Sequence, residues 1–182
     1  MFTDLIKQKL ALETVAAHIF IILAVVYLLF FRKKYPFILK FFIKHAILFA
    51  FLVALTATLG SLFYSQIMGF EPCELCWFQR IFMYPLVILF GIALYKKQDH
   101  IIDYTLSLAV VGGAISLYHN YIYYYKKGLA ANCQLAGIDV VSCIKLYISE
   151  FGYITIPLMA LTAFALIIIF LVLRKIHNQG DK

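Results

Sequence analysis

The stretch EPCELCWFQR at residues 71–80 opens into the apolar run IFMYPLVILFGIALY, which ends at Tyr95. Two cysteines with two residues between them stand at the mouth of a segment, 77–95, in which Arg80 is the lone charge. A helix rises about 1.5 Å per residue and a hydrocarbon core is about 30 Å thick, so roughly 20 apolar residues make one crossing. The segment therefore reads as a membrane span with a dithiol at its rim. Working outward, four further stretches of the same kind cover approximately residues 15–31, 46–66, 101–121 and 153–173. With 64% of its 182 residues hydrophobic and 14% charged, the chain has no material left for a soluble domain. The expected fold is an all-α integral membrane bundle. Residues 1–45 are expected to form an anchor with a basic loop, 46–173 the helical domain that carries the cysteines, and 174–182 a basic tail.

The net charge of +7 does not indicate nucleic acid, because the basic residues fall in short blocks at span ends and form no continuous surface. Ten of them flank the spans on one side: Arg32, Lys33, Lys34, Lys40 and Lys44, then Lys96 and Lys97, then Arg174, Lys175 and Lys182. Five, Lys7, Lys9, Lys126, Lys127 and Lys145, fall on the other. The positive-inside rule makes the richer side cytoplasmic, which leaves the cysteines outside. The first apolar stretch lacks a small-residue cleavage site and ends in a basic stop, so it reads as a retained anchor with an external amino terminus.

A second pair, Cys133 and Cys143, lies in the longest polar segment, about residues 122–152. Both pairs then share a face where thiols are not kept reduced. As static staples they are poor, since two and nine enclosed residues remove little entropy from the unfolded chain. A two-residue ring is strained and labile, which suits exchange. The span is expected to begin near Cys76, where the positive end of the helix dipole stabilises a thiolate. Zinc is the rival for four cysteines, but the second pair lacks tight ligand spacing and no histidine is expected beside either pair. Purely structural bridges are the other.

Arg80 follows Cys76 by four residues and so shares its helical face one turn deeper. A charge inside a span marks function or pairing. A guanidinium there stabilises a thiolate and the charge developing on an electron acceptor, or else snorkels to lipid phosphate. Gln79 and Trp77 read as interface anchors, and Met83 and Tyr84 as packing. His119, near the outer end of the fourth span, reads as a proton relay or acceptor ligand, or as a plain interfacial histidine. His18 and His45 have no chemical neighbour. The tyrosines Tyr118, Tyr121, Tyr123, Tyr124 and Tyr125 read as an aromatic belt or as rings lining an acceptor site. Pro85 and Pro157 are expected to kink their spans.

EPCELCWFQRIFMYPL, AISLYHNYI, the later cysteine pair and FGYITIPLMALTAF together resemble the DsbB family of quinone-linked membrane disulfide oxidases, its BdbC-type branch most of all. The resemblance spans roughly residues 46–173. It implies a four-helix core, to which this chain adds an amino-terminal helix. It further implies a multi-pass protein of the bacterial cytoplasmic (inner) membrane that reoxidises a DsbA-like, thioredoxin-fold thiol oxidoreductase and passes electrons to ubiquinone or menaquinone. Residue by residue, Cys133 would form the mixed disulfide with that partner and Cys143 would resolve it. Cys73 would exchange with the loop pair and Cys76 would face the quinone with Arg80 assisting. His119 falls near the quinone-proximal helix. The alternative from a different class is a membrane scaffold or transporter subunit with static disulfides. The nearly complete lack of acidic groups within the spans, and of broken-helix repeats, speaks against a transport path.

Overall fold

The computed structural model describes residues 2–30, 37–97, 101–125 and 153–180, and all their regular elements are helices. These are α1 (Phe2–Phe30), α2 (Phe37–Lys44), α3 (Ala46–Leu62), which runs on into one π-helical turn (Phe63–Ile67), α4 (Glu74–Lys96), α5 (Ile102–Tyr125) and α6 (Ile156–Gly180). Three are long and apolar enough to cross a membrane: α3 with its π turn, α4 and α6. The first helix begins well before the expected residue 15 and is 29 residues long. The basic loop expected after it holds a helix of its own, α2. Pro157 occupies the first turn of α6, where its missing N–H is no loss, so the expected kink there is absent as a mid-helix feature. Pro85 lies inside α4.

Helix α3 packs on α4 and α6, and α5 packs on the same two, so α3–α6 form a closed four-membered ring. Helices α1 and α2 lie outside it against α6. One cluster runs through the ring: Ala50 and Ala54 of α3, Leu86 and Phe90 of α4, Ala109 of α5, and Phe164, Ile167 and Leu171 of α6. Alanines let backbones approach, and the large side chains of α4 and α6 fill the space between them; in lipid this dispersion packing is what holds helices together. The tightest approach is at Gly112, where a Cβ would lie 2.4 Å from the ring of Phe164.

The two ends of the ring differ. At one, α4 finishes in a left-handed Lys97, φ 51°, whose N–H bonds to the carbonyl of Ala93. There Arg174 donates to the carbonyls of Ile43 and Lys44 at 3.4 Å, and Lys175 Nζ lies 2.7 Å from Asp103 Oδ1. The opposite end carries the start of α4 and the end of α5, with Cys73, Cys76 and His119.

Candidate functional site

After the π turn the chain reverses at Gly69, whose φ of +67° favours glycine, and the N–H of Phe70 bonds to Tyr64 O at 3.0 Å. Pro72 then leads into Cys73, an extended residue (φ −69°, ψ 169°) that occupies the N-cap of α4. The N–H of Trp77 bonds to the carbonyl of Cys73 at 3.1 Å. The helix therefore starts at Glu74, ahead of the expected Cys76, and both thiols sit at its positive end. Their sulfurs are 3.2 Å apart. Cys73 is buried beside Leu75 and Ile122, whereas Cys76 is half-buried.

His119 stands 46 residues from Cys73 in sequence, yet its Nε2 lies 3.8 Å from Cys73 Sγ. The other ring nitrogen, Nδ1, is 3.1 Å from Gln79 Nε2. Both Gln79 and His119 are buried, at 6% and 1% exposure. This corrects two readings of the sequence. A histidine does adjoin the first cysteine pair, and Gln79 orients that histidine instead of anchoring at the interface. Asn120 beside it donates to Ser116 O at 2.8 Å and Pro157 O at 2.9 Å, which ties α5 to the start of α6. Cys73, Cys76 and His119 present three soft donor atoms within 4.8 Å of one another, one donor short of a closed zinc site.

Arg80 does not extend away from the protein. Its Nε donates to Ser61 Oγ at 2.8 Å and a terminal nitrogen to Ser61 O at 3.1 Å, while its Cζ lies 5.2 Å from the centre of the Trp77 ring. Trp77 itself is 54% exposed, as an interface anchor should be. Cys76 and Arg80 both border a cavity of about 410 Å³. Its walls come from α1, α3, α4, α5 and α6 and include Met83, Tyr84, His119 and Tyr123. Of the five tyrosines at the end of α5, then, Tyr123 turns inward, 3% exposed, while Tyr118, Tyr121, Tyr124 and Tyr125 stay exposed as a belt. Two polar atoms on the cavity walls, Tyr84 Oη and Thr155 Oγ1, are buried with no hydrogen-bond partner among the described residues. Orphaned polar groups on an apolar wall are what a ligand with a few oxygen atoms would satisfy.

Cys133 and Cys143 lie outside the described residues. Of the expected site, the structure brings Cys73, Cys76, Arg80 and His119 to one end of the bundle and adds Gln79 and Ser61, which sequence reading missed. A buried amide three residues after Cys76 is a signal in retrospect. Ser61, on another helix, offers none.

Residues 43–174 match the family described as disulfide bond formation protein DsbB. The probable disulfide formation protein C of Bacillus cereus is 48% identical over 121 residues, 66% of this chain and 85% of that protein. Disulfide bond formation protein C of Bacillus subtilis is 45% identical over 135 residues, 72% of this chain and 96% of the relative. The SPbeta prophage-derived disulfide bond formation protein B of the same organism is 41% identical over 126 residues, covering 69% and 82%. No solved structure matches the chain.

Proposed function

This chain belongs to the DsbB family of membrane disulfide bond formation proteins, in its BdbC-type branch, and from that premise we propose that it is a thiol:quinone oxidoreductase. It reoxidises a DsbA-like thiol oxidoreductase on the extracytoplasmic side of the bacterial cytoplasmic membrane and delivers the electrons to ubiquinone or menaquinone. The observation that carries this reading is the shared wall of Cys76 and Arg80 on one apolar cavity, with Cys73 on the buried side of the same helix end.

The partner's thiolate attacks Cys133 of the Cys133–Cys143 disulfide and releases the Cys143 thiolate, and the partner's second thiol then displaces Cys133, so that the partner leaves oxidised and the loop pair is left reduced. The loop dithiol so formed exchanges with the Cys73–Cys76 bridge, which leaves those two reduced. At the N-terminus of α4 the helix dipole favours the thiolate, and Arg80 adds a positive charge one turn deeper. Neutral imidazole takes a proton on one nitrogen and offers it from the other. Held by Gln79, His119 is placed to exchange a proton with Cys73.

The cavity suits a quinone: it is mostly apolar, it borders the sulfur that must be oxidised, and its oxygen-binding groups are Arg80, Tyr84 and Thr155. When bound, a quinone supplies a sink for two electrons and two protons, which balances one dithiol closing to one disulfide. Ser61 fixes the guanidinium by two bonds and so positions its remaining donors in advance. The thermodynamic need is plain, because a DsbA-type partner sits at about −120 mV and only an acceptor of higher potential can drain it.

The test is anaerobic mixing of the purified protein with a reduced DsbA-like partner and a short-chain quinone, with quinone absorbance and free thiols followed together. Two thiols should vanish per quinone consumed, and Cys76→Ser should stop quinone loss while Cys133 still traps the partner. Thiol loss without quinone loss, or turnover in Cys76→Ser, would overturn the assignment.

A further inference from the structure

Helix α1 lies outside the family match, which begins at residue 43, yet it supplies part of the cavity wall through Leu10, Glu13, Thr14 and Ala17. Its seat is well defined. Ala11 and Thr14 are buried, His18 Nε2 is 2.8 Å from Thr162 Oγ1 on α6, and the Phe20 ring packs 5.7 Å from that of Phe170. Leu10 closes over Gly60, where a Cβ would be 3.4 Å from its methyl carbon. The register of α1 against the ring is thus fixed, and with it the position of Glu13. Glu13 itself is exposed, stands just ahead of the apolar stretch that begins near residue 15, and borders the cavity. Among the described residues no ion pair joins it to Arg80, which bonds instead to Ser61.

The two charged groups read a ligand differently. A guanidinium only donates hydrogen bonds and a carboxylate only accepts them. The oxidised quinone ring offers two carbonyl acceptors, so Arg80 suits it and Glu13 repels it. The reduced ring offers two hydroxyls, each both donor and acceptor, so Arg80 still suits it and Glu13 now bonds it. We infer that α1, through Glu13, makes this acceptor cavity prefer the hydroxylated ring over the carbonyl ring. A site that binds the reduced form more tightly raises the potential of the bound couple, and for two electrons each tenfold of preference is worth about 30 mV. The helix would therefore add driving force for withdrawing electrons from Cys76, at the expense of slower product release. The inference rests on the quinone reading above. Glu71, just ahead of the cysteines, is a second carboxylate on the wall and must be told apart from Glu13.

The experiment is equilibrium binding to the full-length protein in nanodiscs, with Cys76→Ala as the background so that no electrons exchange. A short-chain ubiquinone analogue and its quinol are titrated separately under argon. In the background protein the quinol should bind more tightly. Glu13→Leu should cut the quinol-to-quinone affinity ratio roughly tenfold, the size of one charge-assisted hydrogen bond. Glu13→Gln should fall between, and Glu13→Asp should keep most of the preference. An unchanged ratio in both Glu13→Leu and Glu13→Gln overturns the inference, as does a collapse in Glu71→Gln with none in Glu13→Leu. If neither ring binds the background protein, the quinone reading itself fails, an outcome distinct from binding without preference.

Discussion

The two halves of the four-helix ring are built on opposite plans. Around Ala54, Leu86, Phe90, Phe164 and Leu171 the interior is apolar and filled, and Gly112 admits the Phe164 ring almost to the backbone of α5. Around Cys73 the interior holds buried Gln79, His119, Ser116 and Asn120, together with a cavity. Lipid is as apolar as leucine, so the filled half is held by close contact and the hollow half by hydrogen bonds between helices. The contrast teaches a division of labour. Rigid packing at one end fixes the helix rotations that keep Gln79 on His119 and His119 on Cys73 at the other.

The largest effect should come from the filled half. Phe164→Ala should cost about 3 kcal/mol, near the lower end for a buried aromatic because lipid, not water, surrounds the bundle. Gly112→Ala should also destabilise, since its methyl group would overlap the ring. Combined, the two should cost less than their sum, because the alanine then grows into the space the ring vacates. Unfolding by detergent titration measures this, and strict additivity would mean that the two residues do not meet as described.

The next effect belongs to the hollow half. Gln79→Leu removes the partner of a buried imidazole nitrogen and should cost about 1–3 kcal/mol. Its diagnostic is functional: the rate of Cys73–Cys76 reoxidation should fall further than stability does, and Gln79→Glu should recover part of it by restoring a hydrogen-bond partner. Equal losses in both variants would reduce Gln79 to packing.

Much of this was legible in the chain. The Cys76 and Arg80 spacing of four placed them on one face, and both border the cavity. The apolar runs announced a membrane bundle. What stayed hidden were the contacts between helices. Helices α4 and α5 are apolar nearly all round, so no stripe fixes which way each is turned toward its neighbours. The approach of His119 to Cys73, the Gln79 bond and the Ser61 clamp on Arg80 all depend on that rotation. The early start of α1 was missed for a related reason. Span counting follows hydrophobicity, and the polar residues Asp4, Lys7, Gln8, Lys9 and Glu13 lower it without stopping a helix.

The smallest effect tests whether the basic end shares in this design. Lys175 and Asp103 are 2.7 Å apart, but their side chains are 43% and 69% exposed. Water and salt screen such a pair, and holding two mobile side chains costs entropy, so Asp103→Asn should lose at most about 0.5 kcal/mol in detergent unfolding. Thiol oxidation should proceed at the unsubstituted rate, since the pair sits at the far end of the bundle from the sulfurs. If instead the variant lost as much stability as Gln79→Leu, the ion pair would be a clamp joining α5 to α6. The orientation of His119, which rides on α5, would then be set from both ends of the ring and not by the packed core alone.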